Sequence, residues 1–136
     1  KDVSYLGCDI VNDIIKENNI KFSSKNIKFE IKDIIFDKLP DTDLIIIRDL
    51  LVHLKDREII DFIENIKKSK FKYIAMTSYD HTLQNTKGTI DDNWRPLNLT
   101  IPPFYLRQPD FKLDDSCDDT FDEKYKKLYI WENSLN

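Results

Sequence analysis

The sequence predicts an α/β fold in which a mostly parallel sheet ends in an antiparallel hairpin. Three observations support this prediction. Apolar, strand-like runs alternate with segments of helical spacing through the first half of the 136 residues. Several of those runs end in a carboxylate. The last two runs, residues 111–117 and 126–132, are separated by acidic, turn-like residues and by no helix, which is typical of two antiparallel strands.

The first strand is expected at residues 3–9, where a short apolar run closes with Asp9. Apolar residues at positions 10, 11, 14 and 15 then fall at helical spacing, and we expect this helix to end at Asn18-Asn19. Residues 27–33 alternate apolar and polar side chains, as a strand exposed on one face does, and this run ends at Asp33.

The apolar run from Asp43 to Asp49 is the clearest strand signal in the chain. We expect it to be a buried strand, followed by a helix over 56–68 with one apolar face and by another strand over 71–78. Ligands of open α/β sheets bind at the carboxyl ends of the strands. The charged end of this run, Arg48 and Asp49, is therefore a candidate binding site.

Composition narrows the class of protein. A chain of 136 residues is expected to form a single domain over 1–136. Its formal net charge of −4 offers no long-range attraction to nucleic acid or to anionic lipid, so we predict neither as a partner. The apolar run Leu44–Ile47 is too short to span a membrane. Cys8 and Cys117 are isolated, which predicts reduced thiols in a cytoplasmic protein and no metal site.

The segment over 79–108 differs from the rest of the chain. It has little periodicity and contains Gly88, several prolines and the polar cluster at 91–98. Long connections without secondary structure are uncommon in compact domains and are often lids or binding loops. We therefore predict a lid or substrate loop over 79–108.

The order of these elements resembles the class I S-adenosylmethionine-dependent methyltransferases, whose Rossmann-like sheet takes its last strand antiparallel. The resemblance covers nearly the whole chain and implies that S-adenosylmethionine is the cofactor. In that family the second, third and fourth strands end at residues that contact the ribose and adenosine, the adenine and the methionine part, respectively. The matching positions here are, in that order, Asp9 with Ile10, Asp33 with Ile34, and Arg48 with Asp49.

Two longer motifs, residues 43–54 and 92–99, resemble more narrowly a bacterial-type subgroup of these enzymes. This resemblance implies a small-molecule or glycan acceptor. We predict Trp94, Arg95 and Asn98 as acceptor contacts, since an aromatic face beside a guanidinium suits stacking on a sugar or binding a carboxylate or phosphate. Trp94 could equally anchor its own loop against the body of the protein.

One part of the family pattern is missing. The glycine-rich loop after the family's first strand has no match, because neither Gly7 nor Gly88, the two glycines of the chain, stands at that place. In the family this first strand lies between the strands that correspond to those ending at Asp9 and Asp49. We therefore expect about seventy or more further residues upstream, by typical domain length. For the 136-residue chain alone we expect weak or absent activity.

Methyl transfer depends chiefly on alignment of the acceptor with the methyl group. A hydroxyl acceptor also needs a base that titrates near neutrality, which makes His53 and His81 the catalytic candidates. The apolar neighbours of His53 equally fit a locally packed histidine. His81 begins the long loop, so plain exposure is its alternative.

Two other classes of function stay open. A nicotinamide-dependent Rossmann oxidoreductase would also use an acidic residue after the second strand, but its final strand would be parallel. A binding module or a remnant without catalysis is the second alternative, and it would show no response to S-adenosylmethionine.

Overall fold

The structure is a computed structural model that describes residues 3–87, 94–116 and 123–135. It divides into two compact units, Lys1–Asp37 and Lys38–Asn136. The single domain expected over 1–136 stays a prediction. Gly88, Cys117 and residues 91–93, which the sequence analysis singled out, lie outside the described residues.

The first unit is a strand-helix-strand element. β1 (Tyr5–Asp9) and β2 (Ile27–Ile31) pair in parallel, with Tyr5 opposite Ile27, and α1 (Asn12–Phe22) connects them. The predicted order and the parallel pairing are confirmed. The helix continues through Asn18-Asn19, where we expected it to end. Asn19 Nδ2 donates a 3.0 Å hydrogen bond to the carbonyl of Phe29, and this tie to β2 outweighs the modest helix propensity of asparagine.

Gly7 lies buried in the middle of β1, opposite Phe29 of β2. A Cβ atom at this position would lie 2.6 Å and 2.8 Å from two carbons of the Phe29 ring. The ring of Tyr5 packs edge-on against that of Phe29, with 6.0 Å between the centroids. Glycine is therefore required at this point of the strand because an aromatic ring crosses it.

The second unit contains a four-stranded sheet in the order β3-β4-β6-β5. Its strands are β3 (Thr42–Ile47), β4 (Phe71–Tyr79), β5 (Phe111–Asp114) and β6 (Lys126–Glu132). β3 and β4 are parallel, and β6 is antiparallel to both β4 and β5. The C-terminal hairpin is confirmed. The described strands nevertheless form two sheets rather than one, and the larger sheet is mixed because the final strand inserts between β4 and β5.

β3 differs from the buried strand that its apolar sequence predicts. The side chains of Leu44 and Ile46 are 49% and 58% exposed, whereas Ile47 is buried. β4 is the one described strand that pairs with β3, so β3 forms an edge of the sheet. An apolar sequence favours a β-strand, but whether that strand is buried depends on the elements that pack beside it.

α2 (Asp56–Ile66) follows a short 3-10 turn at Leu51–His53. Glu58 caps the helix start, since its Oε2 accepts the amide of Lys55 at 2.8 Å. The predicted apolar face is confirmed and enters the core of the unit. The fully buried large side chains of this core include Ile59, Phe62, Ile66, Ile74, Met76, Leu97, Leu99, Tyr129 and Trp131.

The described part of the segment over 79–108 has no helix or strand after Tyr79, as predicted. Leu97 and Leu99 are nonetheless fully buried, and the carbonyl of Leu97 accepts the amide of Tyr79 at 2.8 Å. This part of the segment is packed into the unit, and its function as a lid or substrate loop stays a prediction. Neither helix in the described ranges is long and apolar enough to cross a membrane.

Candidate functional site

Asp9 and Asp33 lie at the same edge of the first unit. Asp9 is the last residue of β1, and Asp33 follows the end of β2. The two strands are parallel neighbours with Asp9 opposite Ile31, and the carbonyl of Asp9 accepts the amide of Lys32 at 3.0 Å. The structure therefore places the two predicted carboxylates at adjacent strand ends.

A nearby amide orients each of these carboxylates. Asp9 Oδ1 accepts the amide of Val11 at 2.8 Å, and Asp33 Oδ1 accepts the amide of Ile35 at 2.8 Å. Within the described residues, the second oxygen of each carboxylate receives no hydrogen bond. An ionised carboxylate only accepts hydrogen bonds, so this edge can bind a ligand that presents hydroxyl or amino groups.

Ile10 and Ile34 follow these aspartates directly. Ile10 is 67% exposed, and Ile34 is half-buried in the turn after β2. Each isoleucine thus offers apolar surface next to a carboxylate in sequence. Their predicted contact with the cofactor stays a prediction.

In the second unit, Asp49 lies just beyond the carboxyl end of β3 in a left-handed conformation, with a φ of 55°. Its amide donates a 2.8 Å hydrogen bond to Thr77 Oγ1, which in turn lies 3.4 Å from Asp49 Oδ1. A left-handed aspartate costs roughly 1 kcal/mol, so surrounding contacts must hold it there. Thr77 of β4 provides one of these contacts.

Asp49 also belongs to a cluster of four charged residues, Arg48, Asp49, Asp115 and Lys126, which we name the ion cluster. Lys126 Nζ lies 3.2 Å from Asp49 Oδ2 and 3.8 Å from Asp115 Oδ2. Arg48 Nε donates to both oxygens of Asp115, at 3.2 Å and 3.0 Å, and its guanidinium lies 3.4 Å from Asp49. The four formal charges cancel, which allows the side chain of Lys126 to be only 3% exposed.

Sequence analysis missed Lys126 and Asp115. Lys126 stands at the start of a strand next to another lysine, a pattern usually read as solvent-exposed. Its inward direction follows from the strand pairing, because Lys126 lies directly opposite Tyr79 on the neighbouring strand β4. No local sequence signal marks this.

Asp80, Lys112 and Tyr129 form a second polar group after the end of β4. Lys112 Nζ donates a 2.8 Å hydrogen bond to Asp80 Oδ1, and the Tyr129 hydroxyl donates to the same oxygen. Burial alone would raise the pKa of Asp80, but these two hydrogen bonds outweigh it and lower the pKa. Burial, followed by the bond to Asp80, raises the pKa of Tyr129, so this phenol remains a donor at neutral pH.

The two histidine candidates have different surroundings. His53 ends the 3-10 turn after β3 with an exposed side chain, so it is not the packed histidine that its apolar neighbours suggested. His81 is half-buried within an aromatic cluster of Tyr79, His81, Trp94 and Tyr125. The structure therefore brings together His81 and Trp94, which were predicted separately as a base and as an acceptor contact.

Arg95 and Asn98 are buried, with 4% and 8% of their surfaces exposed. Arg95 Nη2 donates to the carbonyl of Leu54 at 2.9 Å and to Asp56 Oδ1 at 2.7 Å, and Nη1 donates to the carbonyl of Thr86. Arg95 thus fastens the long segment to the start of α2.

The polar atoms of Asn98 are bonded in the same internal way. Its Nδ2 donates to the carbonyl of Thr82 at 3.1 Å, and its Oδ1 accepts the hydroxyl of Thr100 at 2.8 Å. Acceptor binding by Arg95 and Asn98 stays a prediction.

Comparison with solved structures places this architecture among known folds. The PH0226 protein of Pyrococcus horikoshii OT3 matches 96% of this chain and 72% of its own, with a TM-score of 0.60 and 15% identity. A Listeria monocytogenes protein provisionally assigned as an S-adenosylmethionine-dependent methyltransferase matches 96% of this chain and 80% of its own, with a TM-score of 0.58 and 13% identity. The chain has a methyltransferase-like fold.

Sequence comparison adds no closer relative, since the chain matches no protein-family profile and no curated protein. At identities of 15% and 13%, the two structural neighbours establish the fold alone. The antiparallel β6 differs from the parallel final strand expected for the nicotinamide-dependent alternative.

Proposed function

We propose that this protein is an S-adenosylmethionine-dependent methyltransferase that acts on a small molecule or a glycan. One observation carries the proposal. In a methyltransferase-like fold, the parallel strands β1 and β2 each lead into an aspartate at the same edge, and each carboxylate has an oxygen that no described residue engages. A ribose diol and an adenine amino group are donors that suit such oxygens.

The residues present fit the nucleoside part of the cofactor. Asp9 would accept from the ribose hydroxyls with Ile10 beside the adenosine, and Asp33 would accept from the adenine amino group with Ile34 beside it. In the second unit, Arg48 and Asp49 would serve the methionine part. A glycine cradle is not found among the described residues, because Gly7 lies in mid-strand under the Phe29 ring. We propose that a segment outside the described residues supplies that cradle.

The exposed edge strand β3 also supports a further segment outside the described residues. A flat, apolar strand edge is prone to aggregation unless another strand covers it. We propose that the strand before the glycine-rich turn pairs with β3. Amide hydrogen exchange tests this: the outward-facing amides of β3 should exchange at least tenfold more slowly in the natural full-length protein than in the 136-residue chain. Equal exchange in the two proteins counts against the missing strand.

S-adenosylmethionine, when bound, supplies a methyl carbon on positive sulfur, so that an acceptor lone pair forms the new bond while the carbon–sulfur electron pair stays with a neutral thioether. The protein's own task is to orient the acceptor and to remove its proton. His81 is our first candidate for that base, because it lies after the carboxyl end of β4 within the aromatic cluster. His53, exposed after β3, is the second. Trp94, Arg95 and Asn98 are the proposed acceptor contacts.

A calorimetric titration of the natural full-length protein with S-adenosylhomocysteine tests the assignment of Asp9. Asp9→Asn should weaken binding by roughly tenfold to a hundredfold, because a hydrogen bond to a charged group contributes about 1.5 to 3 kcal/mol. Asp13→Asn is the matched control, since Asp13 is an acidic residue of the same unit with a 92% exposed side chain. Unchanged affinity in Asp9→Asn would refute the assignment.

A further inference from the structure

The aromatic cluster is continuous and lies where β4 ends and β6 begins. Tyr79 is its centre: the ring of Trp94 packs edge-on against it at 5.8 Å between centroids, and the ring of His81 does so at 6.1 Å. The His81 ring in turn lies 4.9 Å from that of Tyr125, at an interplanar angle of 38°. Four rings from three separate parts of the chain thus form one aromatic cluster.

The accessibility of the rings differs within this cluster. Tyr79 is fully buried and anchors the cluster. Trp94 is 36% exposed, and His81 and Tyr125 are half-buried. Tryptophan has the most apolar area of any side chain, so an exposed tryptophan ring leaves a large apolar face available to a ligand. Here the tryptophan stays accessible while the tyrosine beneath it is buried.

The cluster adjoins the ion cluster directly. Tyr79 lies opposite Lys126 in the antiparallel pairing of β4 and β6, so these two side chains are neighbours on one face of the sheet. Lys126 contacts Asp49, the residue proposed for the methionine part of the cofactor. A molecule bound against Trp94 and His81 would therefore lie beside the groups that the proposed function assigns to methyl transfer.

Charge and shape favour one class of ligand. Ring faces bind flat, unsaturated molecules and cations. The charge of the buried Lys126 is neutralised by Asp49 and Asp115, but Lys124 Nζ, which lies 5.9 Å from the centroid of the Tyr125 ring, places a positive charge beside the cluster. This charge disfavours a cationic ligand and favours an acidic substituent.

We infer that the acceptor, under the proposed methyltransferase function, is a planar aromatic molecule that carries an acidic group and a hydroxyl. The ring stacks on Trp94, the acidic group lies towards Lys124, and His81 accepts the proton of the hydroxyl. The inference narrows the acceptor from a small molecule or glycan to an aromatic acid.

Ligand-observed saturation-transfer NMR on the 136-residue protein tests this inference with three probes: para-hydroxybenzoate, cyclohexanecarboxylate and methyl glucoside. We expect saturable binding of para-hydroxybenzoate, at least about tenfold weaker binding of the other two, and a similar loss in Trp94→Leu, because an aromatic stacking contact accounts for roughly a factor of ten. Trp94→Phe should restore part of the binding. Phe111→Leu, which changes an exposed aromatic residue on β5, should leave binding unchanged.

Equal binding of cyclohexanecarboxylate, preference for methyl glucoside, or full para-hydroxybenzoate binding in Trp94→Leu overturns the inference. Binding of these probes is measured without cofactor, so the result is independent of the S-adenosylhomocysteine titration. If S-adenosylhomocysteine does not bind while para-hydroxybenzoate binds, the aromatic ligand site is supported and the methyltransferase function is refuted. If S-adenosylhomocysteine binds while para-hydroxybenzoate does not, the methyltransferase function is supported and the acceptor is not an aromatic acid.

Discussion

The ammonium of Lys126 lies 3.2 Å from the carboxylate of Asp49, although the two residues are 77 positions apart in sequence. This contact joins the final strand of the chain to the carboxyl end of β3. Asp49 has a left-handed backbone there, with a φ of 55°. A buried cation and a strained aspartate therefore hold each other in place at the carboxyl end of β3, where we propose that the cofactor binds.

Replacing Lys126 with methionine should lower the free energy of unfolding by about 2 to 3 kcal/mol, because Asp49 and Asp115 then face each other without their buried cation. Urea unfolding measures this. Lys127→Met is the matched control: Lys127 pairs at 3.3 Å with Asp114, whose side chain is 68% exposed, so its loss should cost less than about 1 kcal/mol. Equal stability of the two variants would contradict a structural role for Lys126.

Gly7→Ala should destabilise the first unit by about 1 to 3 kcal/mol, because the added methyl group would meet the Phe29 ring at 2.6 Å. Amide hydrogen exchange of β1 and β2 reports this locally. In a Phe29→Ala background the same change should cost much less, since the obstructing ring is gone. An identical cost in both backgrounds would show that the ring is not the cause.

Arg95→Gln should lower stability by about 3 kcal/mol, because it leaves Asp56 without its buried partner and removes the bond to Leu54. Thermal or urea unfolding checks the value. Arg57→Gln serves as the control, since its pair with Asp61 is on the surface and the Arg57 side chain is 82% exposed. Should Arg95→Gln keep full stability and lose acceptor binding, the acceptor role predicted from sequence would be favoured instead.

Asp110 should make stability depend on pH in the acidic range. Hydrogen bonds from Arg107 and from the amide of Glu132 lower the pKa of Asp110 from 3.8 to about 2. Because the folded-state pKa is depressed, the stabilisation is fully present above pH 3.8 and is lost as pH falls towards about 2.

Urea unfolding of wild type and Asp110→Asn between neutral pH and pH 3 measures this effect. The stability difference should stay constant down to about pH 4 and then shrink. Asp13→Asn, which changes a carboxylate whose side chain is 92% exposed, shows how much of the trend belongs to surface carboxylates in general. A difference that grows on acidification would have the wrong sign and would refute the assignment.

Much of the architecture follows from local pattern. The alternation at 27–33 and the apolar run before Arg48 predicted β2 and β3, and the spacing of Ile59 and Phe62 predicted the buried face of α2. The absence of a helix between the last two runs predicted the hairpin. These features are local because a side chain's position in a strand or helix depends on the period of its neighbours.

The sequence also placed the aspartates at strand ends, since parallel strands bring their carboxyl ends to one edge. It could not assign Lys126 to the interior, because that depends on the register between β6 and β4. Nor could it predict that Arg95 would bond to Leu54 and Asp56, some 40 residues before it, as their separations of 41 and 39 positions show.

The sequence by itself thus determined the kinds of element, their order and the carboxylates at the ends of β1 and β2. The tertiary structure alone decided that β3 pairs on one side only among the described strands, that Lys126 is buried against Asp49 and that His81 and Trp94 share one aromatic cluster. The physical reason is that periodicity and turn chemistry act over a few residues. Burial and charge pairing depend instead on which distant segments come into contact. Those contacts are fixed by the pairing and register of the strands.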